Sequence, residues 1–278
     1  MEIFRSKAEL IDYLSHQRKK GKLIGFVPTM GALHQGHLSL IEESKKKTEI
    51  TVCSIYVNPT QFNAKTDLDN YPRNTEKDIE ILRSIDCDVC FLPADEDVYP
   101  NGMNKSLKID LHGLDKTMEG KHRPGHFDGV VTVVNNLFQI VTPDFAFFGE
   151  KDFQQLAVIR KMTKTLNLGT EIIGCPIVRE KNGLAMSSRN ERLSKEEREG
   201  ASFLYTTLQA VKSQQSSTEE KKEWGIQQLT NNPLFTLDYF EIAEAESLKP
   251  VKHEKSSNQR AFVAVFIGNV RLIDNIEL

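Results

Sequence analysis

Residues 22–47 read KLIGFVPTMGALHQGHLSLIEESKKK and contain the patterns of a strand, a loop and a helix in immediate succession. The apolar run Lys22–Pro28 has the length of a buried strand, and His37–Lys47 places its apolar residues on one side of a helix. A strand followed by a helix of this length is half of a βαβ unit, which predicts a parallel sheet. The glycine-containing loop between them then lies at the carboxyl end of a strand, where such sheets bind ligands.

The same alternation continues as far as about Pro176. Ser6 and Glu9 form a capping-box pattern that predicts a first helix, which stops at Gly21. Further strands are predicted at 50–57, 87–92 and 144–148, and further helices at 74–85, 127–141 and 152–168. We therefore expect residues 1–176 to form an α/β domain with a Rossmann-like parallel sheet covered on both faces.

The pattern changes in residues 177–278. Ser194 and Glu197 form a second capping box that predicts a helix to about Lys212, and a polar helix follows around Trp224. Strand patterns then lie at 237–245, 261–268 and 271–278, with a polar surface segment at 252–260. Helices followed by a run of strands predict a smaller C-terminal α+β domain.

Composition excludes several classes of function. The chain has 278 residues, and 36 Lys and Arg stand against 39 Asp and Glu, so no basic field exists to hold nucleic acid. The longest apolar run, Ala261–Ile267, is far below the roughly 20 residues of a membrane helix. The first ten residues lack the pattern of a signal peptide. We expect a cytoplasmic protein with neither nucleic-acid nor membrane partners.

The four cysteines do not suggest a metal site or a disulfide. Cys87 and Cys90 form a CxxC pattern inside a predicted strand, where residues three apart are expected to face opposite sides. Cys53 and Cys175 stand alone, so no second pair of ligands is available for zinc. We expect four ordinary reduced thiols, and no protein-built metal site.

The strongest functional pattern is the HxGH of His34 and His37 at the predicted strand–helix junction. Backbone N–H groups at a helix N-terminus bind anions, and two imidazoles three residues apart can lie on one side of the turn. This combination suits a polyphosphate whose charge grows during group transfer. The alternative is a helix N-terminus that one histidine caps locally.

Two further loops carry groups that suit phosphates. Lys151 follows a predicted strand and can reach a phosphate as a point charge, whereas its neighbour Asp152 is equally well explained as a helix N-cap. Ser187, Ser188 and Arg189 bring two hydroxyls and a bidentate guanidinium into one short loop. The alternative for that loop is an exposed polar turn.

Amide side chains follow another predicted strand. Asn58 and Gln61 can bind hydroxyl groups and a carboxylate without adding net charge. The alternative is an Asn-Pro turn with exposed amides. Before the helix at 127–141, Arg123 lies in a basic loop and could either meet an anionic group or remain solvated.

Together these motifs carry a resemblance. HxGH with a late MSSR loop resembles the nucleotidyltransferase superfamily related to class I aminoacyl-tRNA synthetases. More narrowly, PTMGALHQGH, YVNPTQF, GEKDFQQL, GLAMSSRN and RLIDNI resemble the pantoate–β-alanine ligase family, in collinear order from about Gly25 to the C-terminus.

The resemblance implies roles for particular residues. The implied ATP site comprises Met30, Gly31, Ala32, Leu33, His34, Gln35, Gly36, His37, Gly149, Glu150, Lys151, Asp152, Val178, Met186, Ser187, Ser188 and Arg189. Pantoate is expected at Gln61 and Gln155, with Asn58 beside them, and β-alanine at Gln61. The expected catalytic residues are His34, Lys151, Ser187, Arg189 and above all His37, which the family uses as proton donor or charge stabiliser.

The resemblance also implies a reaction in two steps. The pantoate carboxylate attacks the α-phosphorus of ATP and releases pyrophosphate, and the amine of β-alanine then displaces AMP from the acyl-adenylate. Mg²⁺ is expected with ATP, held largely by phosphates and water. A homodimer is expected as well.

Two other functions share part of this pattern. One alternative is another small-acid adenylyltransferase of the same superfamily. A member that joins AMP to a phosphate-bearing acceptor is disfavoured, because such an acceptor would need more cations near Gln61. An RNA-binding relative of tRNA synthetases is disfavoured by the acidic balance of the chain.

Overall fold

In a computed structural model of the chain, which describes residues 1–62, 65–251 and 258–278, six strands form one parallel sheet. They are β1 (Glu2–Phe4), β2 (Ile24–Thr29), β3 (Ile50–Ile55), β4 (Val89–Phe91), β5 (Phe145–Gly149) and β6 (Glu171–Cys175). Their spatial order is β1-β4-β3-β2-β5-β6. The predicted Rossmann-like parallel sheet is confirmed.

Helices alternate with these strands and cover both faces of the sheet. They are α1 (Lys7–Lys19), α2 (Gln35–Lys47), α3 (Lys65–Asp69), α4 (Thr75–Ser84), α5 (Asp95–Val98), α6 (Met118–His122), α7 (His126–Val141) and α8 (Phe153–Thr165). Ile24 and Phe26 of β2 are buried with Leu10 of α1, in a core to which α7 and α8 also contribute. Val27 points the other way and is buried with Ile41 of α2. Successive residues of β2 therefore face opposite layers, as strand geometry requires.

The strand order places a crevice between β2 and β5. From β2 the chain builds β3 and β4 on one side, and then it returns to place β5 and β6 on the other side. Loops that follow two adjacent strands at such a switch point diverge and leave an opening at the carboxyl edge of the sheet. The HxGH loop follows β2 and the loop with Lys151 follows β5, so both border this opening.

The C-terminal part of the chain contains further helices and a small antiparallel sheet. Its helices are α9 (Lys195–Gly200), α10 (Phe203–Ser213) and α11 (Thr218–Asn231), and its described strands are β7 (Thr236–Glu244), β8 (Gln259–Ile267) and β9 (Val270–Glu277), antiparallel in that order. Leu204, Phe240 and Val263 belong to its core. Tyr239 and Phe262, however, are buried with the main core of the parallel sheet. The small sheet is thus packed on the large unit, and the boundary at 176/177 stays a prediction.

Several local predictions differ from the structure. The edge strands β1 and β6 were not predicted, because β1 has three residues and β6 is half-exposed. Ser6 precedes α1 but its side chain accepts no capping bond, whereas the Ser194–Glu197 capping box is formed. The helix predicted at 194–212 is divided into α9 and α10. Most of the polar segment predicted at 252–260 lies outside the described residues.

The prediction about the CxxC pattern was wrong in its geometry. Cys87 lies before β4, in the turn that leads into it, so strand alternation does not apply to the pair. Both thiols are buried in one cluster together with Cys53. Burial raises the pKa of Cys87 to about 12 and that of Cys90 to about 11. All four cysteines are unpaired, buried thiols.

No helix in the described ranges is long and apolar enough to cross a membrane.

The close contact between β2 and α2 generates a stability prediction. A Cβ atom at Gly25 would overlap Ser44 Oγ of α2 and lie 2.6 Å from Thr48 Oγ1. We expect Gly25→Ala to lower the free energy of unfolding by about 1–3 kcal/mol, the usual cost of overpacking. Urea denaturation measures this change. Gly169→Ala is the control, because a Cβ atom there meets nothing within 4 Å. Equal stability of both variants would contradict the close approach.

Candidate active site

The two histidines of the HxGH motif form the N-terminal turn of α2. His34 is the N-cap residue, and its Nδ1 accepts a hydrogen bond from the Gly36 N–H at 3.1 Å. His37 Nδ1 accepts in turn from the His34 N–H at 3.3 Å, and the ring centroids lie 4.1 Å apart. Because each Nδ1 is an acceptor, each neutral ring carries its proton on Nε2. Both side chains line one cavity, so the turn presents two imidazoles to it.

Burial keeps both rings neutral. It lowers the pKa of His34 from 6.5 to about 4, and the positive charge of Lys151 adds to the effect. Burial likewise lowers the pKa of His37 well below its ordinary value, with His34 and Lys151 as further causes. Neutral imidazoles donate hydrogen bonds without giving up a proton. The lowered pKa agrees with the charge-stabilising one of the two roles expected for His37, and the choice between them stays a prediction.

A buried carboxylate fixes the loop before these histidines. Asp78 of α4 accepts hydrogen bonds from the Ala32 N–H at 2.9 Å and the Leu33 N–H at 2.8 Å. The Gly31 N–H donates to Thr29 Oγ1 at 3.1 Å. These N–H groups belong to residues that the resemblance places in the ATP site, and they are bound inside the protein. Asp78 was not among the predicted site residues, although an acidic residue on the inner side of an amphipathic helix can be recognised in the sequence.

The loop after β5 brings Lys151 and Asp152 into the cavity. They lie in a short 3₁₀ helix, Glu150–Asp152, and the Asp152 side chain makes no capping bond to α8. The local-capping alternative for Asp152 is therefore not observed. Asn275 of β9 donates to the backbone carbonyls of Glu150 and Lys151 at 2.9 and 3.0 Å, which ties the small sheet to this loop.

Hydrogen bonds hold the loop of Ser187, Ser188 and Arg189, here called the serine–arginine loop, so it is not the exposed polar turn of the alternative. Ser188 is buried and its Oγ lies 3.0 Å from Tyr71 Oη. Arg189 donates to Asp67 at 2.8 Å, and Arg192 binds the same carboxylate at 2.9 Å. Burial alone would raise the pKa of Asp67, but the two guanidinium groups lower it.

Hydrogen bonds inside the protein hold the side chains of Asn58 and Gln61, which follow β3. Asn58 is 1% exposed, and its Oδ1 accepts from Tyr99 Oη at 2.7 Å. Its Nδ2 donates to Gln61 Oε1 at 3.2 Å, while Gln61 Nε2 lies 3.0 Å from Met30 Sδ. Asn58 is thus placed to orient Gln61. Neither amide is the freely exposed group of the Asn-Pro-turn alternative.

The neighbouring glutamines of α8 differ. Gln155 lines the cavity, as expected for a substrate ligand. Gln154 is buried and binds the carbonyls of Leu114 and Thr117 at 2.7 and 2.9 Å, so its amide holds the chain before α6 in place.

Most of the expected residues meet in one cavity at the crevice between β2 and β5. Its lining includes Met30, His34, Gly36, His37, Asn58, Gln61, Gly149, Lys151, Asp152, Gln155, Val178, Met186, Ser187, Ser188 and Arg189. The expected residues Gly31, Ala32, Leu33, Gln35 and Glu150 do not line it. Sequence reasoning missed the apolar wall that α7 contributes through Val130, Val133, Val134 and Leu137. An apolar wall opposite charged and amide groups suits a ligand with both a carbon skeleton and anionic groups.

Known proteins are similar to this chain along its whole length. The sequence model of a family described as Pantoate-beta-alanine ligase matches residues 2–277. A pantothenate synthetase of Flavobacterium psychrophilum is 49% identical, with 100% of both chains covered. One from Porphyromonas gingivalis is 45% identical, with 100% of this chain and 99% of the relative covered.

Solved structures agree as well. The crystal structure of pantothenate synthetase from Thermus thermophilus has a TM-score of 0.93 and 41% identity, and covers 100% of this chain and 99% of its own. Pantoate-beta-alanine ligase from Francisella tularensis, complexed with beta-gamma ATP and beta-alanine, has a TM-score of 0.83 and 38% identity, covering 100% and 97%.

Neutral buried histidines make the free energy of unfolding of the protein depend on pH. Burial, with Arg123 nearby, lowers the pKa of His126 from 6.5 to about 4, as burial and Lys151 do for His34. As the pH falls from about 6.5 to about 4, the unfolded chain binds these protons before the folded chain does. The free energy of unfolding should therefore fall on acidification, by up to about 1.4 kcal/mol per pH unit and histidine.

Urea denaturation between about pH 7 and pH 5 measures this dependence. His126→Gln should flatten it, whereas His16→Gln, at an exposed position, should leave it unchanged. A wild-type stability that does not vary over this range would contradict neutral burial.

Proposed function

This chain belongs to the pantoate–β-alanine ligase family, and we propose that its cavity condenses pantoate with β-alanine through a pantoyl-adenylate, releasing pyrophosphate and AMP. The observation that carries the proposal is the pair of neutral imidazoles, His34 and His37, beside Lys151 at the switch point of the sheet. The solved Francisella tularensis relative, with its ATP-type ligand and β-alanine, supports the choice of substrates.

The first step forms a bond between the pantoate carboxylate and the α-phosphorus of ATP, while the bond to the pyrophosphate oxygen breaks. Negative charge grows on the phosphate oxygens in the transition state. We assign the Nε2–H groups of His34 and His37 and the ammonium group of Lys151 to these oxygens. Preorganised donors of this kind strengthen as the charge develops, so they lower the barrier without a covalent enzyme intermediate.

The serine–arginine loop is assigned to the triphosphate. Ser187, Ser188 and Arg189 line the cavity, and Met186 and Val178 line it as well. The Arg189 guanidinium, which binds Asp67 in this structure, is the group assigned to the leaving pyrophosphate. Gly149 and Asp152 complete the proposed ATP site, and the loop residues that do not line the cavity hold its frame.

The acids are assigned to the amide side. Gln61 and Gln155 provide neutral groups for the pantoate hydroxyls and carboxylate, and Asn58 orients Gln61. The neutral amine of β-alanine then attacks the acyl carbonyl near Gln61, the acyl–oxygen bond to AMP breaks, and the departing AMP phosphate takes up the proton that the amine loses. The apolar wall from α7 excludes water that would otherwise hydrolyse the mixed anhydride.

Mg²⁺ is proposed to accompany ATP. Within the described ranges no group of three His, Cys, Asp or Glu side chains could hold a metal ion. Asp152 is the carboxylate in the cavity lining, and one carboxylate with substrate phosphates and water fits the way Mg²⁺ is bound in such sites. When bound, the ion would neutralise phosphate charge.

Cytoplasmic location and a homodimer complete the proposal. Use of ATP as a substrate supports the first. The open edge of the sheet at β6 supports a partner chain, because exposed strand edges are usually covered. Light scattering should then give twice the chain mass of 31.6 kDa.

Product analysis tests the reaction. With ATP, pantoate and β-alanine we expect AMP, pyrophosphate and pantothenate in equal amounts. With β-alanine omitted, labelled pyrophosphate should still exchange into ATP, provided that pantoate is present. Release of ADP and phosphate would instead indicate an acyl-phosphate ligase, and turnover with other small acids but not with pantoate would favour the alternative adenylyltransferase.

Variants of His34 separate its two roles. His34→Asn keeps a side-chain acceptor for the helix cap but loses the imidazole Nε2–H, so kcat should fall about 10²–10³-fold with stability retained. His34→Ala loses both and should also cost about 1 kcal/mol of unfolding free energy. Steady-state kinetics and urea denaturation measure the two effects. Near-normal turnover of His34→Asn would exclude the charge-stabilising role.

A further inference from the structure

Glu119 of α6 is a buried carboxylate at the junction of the two sheets. The Arg271 guanidinium of β9 binds it through two nitrogens, at 2.7 and 2.8 Å. The Tyr239 hydroxyl of β7 donates to the same carboxylate at 2.8 Å. Burial alone would raise the pKa of Glu119, but Arg271, with Arg123 and Tyr239, brings it to about 2. The group is therefore an anion at neutral pH, and the small sheet supplies most of its partners.

The same carboxylate also contacts Arg123, which reaches Gln61, the residue assigned to the two acids. Arg123 Nη1 lies 3.3 Å from Glu119 Oε2 and 3.2 Å from His126 Nε2. Arg123 Nη2 donates to the Gln61 carbonyl at 3.3 Å, and His126 Nδ1 donates to that carbonyl at 2.9 Å. His126 is neutral, so its Nδ1 carries the proton while its Nε2 accepts from Arg123. Two donors thus converge on the main chain of Gln61.

The same segment also packs on the backbone of α7, the helix that begins at His126. A Cβ atom at Gly129 would overlap the Thr60 carbonyl, and the Asn58 Nδ2 lies 3.4 Å from the Gly129 carbonyl. The segment with Gln61 is therefore packed directly on the helix backbone and cannot move in that direction. The Gln61 carbonyl is held in addition by His126, in the first turn of α7, and by Arg123, whose guanidinium binds Glu119.

We propose that Glu119 is a positioning residue for the two acids, because it transmits the placement of the small sheet, through Arg123 and His126, to Gln61. The inference rests on the proposed assignment of pantoate and β-alanine to Gln61. It goes beyond that assignment, since Glu119 and Arg271 do not line the cavity that holds Gln61.

Loss of the Glu119 charge should affect the binding of pantoate and β-alanine and not that of ATP. Without the anion, Arg123 and Arg271 would repel one another across the junction, and Arg123 would withdraw from Gln61 and leave His126 without its donor. Two loops of the proposed ATP site have their own supports, because Asp78 holds the HxGH loop and Asn275 holds the carbonyls of Glu150 and Lys151.

Glu119→Gln tests the inference. It keeps the size of the side chain and removes the charge. With each substrate varied in turn, we expect kcat/KM for pantoate and β-alanine to fall about 10–100-fold, as small displacements of binding groups do, with KM for ATP within about twofold of wild type. The positioning role raises KM for pantoate and β-alanine, whereas partial unfolding would lower kcat by one factor for all three substrates and leave every KM unchanged.

Asp238→Asn is the matched control. Asp238 binds the same Arg271 at 2.8 Å, and its other carboxylate oxygen lies 2.6 Å from His122 Nδ1, so it does not reach Arg123. Its kinetic constants for the acids should stay within about threefold of wild type. Arg271→Lys, which loses the bidentate contact to Glu119, should shift the acid constants in the same direction as Glu119→Gln.

The outcomes distinguish a failure of the proposed function from a failure of the positioning role. Wild-type enzyme that makes no pantothenate, or Gln61→Ala with unchanged acid constants, would overturn the proposed function or its site. With both of those satisfied, unchanged acid constants in Glu119→Gln, or an equal rise in KM for ATP, would overturn the positioning role. If Glu119→Gln does not fold, Arg271→Lys decides by the same criteria.

Discussion

The buried carboxylate of Asp78 accepts hydrogen bonds from two successive backbone N–H groups, and this contact fixes the turn between β2 and α2. A carboxylate that is 2% exposed would be costly without such partners, and the loop N–H groups would be costly without an acceptor. Each side therefore needs the other, and the turn has little freedom to rearrange. The turn leads directly into α2, where His34 accepts the Gly36 N–H and His37 accepts the His34 N–H, so the placement of both imidazoles depends on it.

The charge balance of the cavity follows from this arrangement. Lys151 and Arg189 bring positive charge to the cavity. Burial, together with Lys151, lowers the pKa of His34 and His37, so these two rings add no further charge. Neutral imidazoles add hydrogen-bond donors without adding charge. Such donors bind a more highly charged transition state better than the ground state, which is the difference that accelerates a reaction. A cavity with four permanent cations would instead bind ATP and pyrophosphate alike and gain less from the change between them.

The sequence was sufficient where local pattern and tertiary role coincide. The strand and helix around HxGH, the helix from His126 and the Ser194–Glu197 cap could be predicted because apolar periodicity and capping residues are local signals. The split between α9 and α10 and the edge strand β6 could not, since tertiary contacts decide them. The motifs likewise predicted the polar residues of the cavity, yet they did not reveal that the Ala32 and Leu33 N–H groups are already bound, because their acceptor lies 45 or more positions away.

The burial of the thiols has a practical consequence for spectroscopy. Maleimide reagents attack exposed thiolates, and burial shields all four native sulfur atoms while raising the pKa of Cys53, Cys87, Cys90 and Cys175. A cysteine introduced at a solvent-facing position such as Ile11, which is 44% exposed, would react first. A fluorescent probe can therefore be attached at one chosen point of the folded chain without removing any native cysteine.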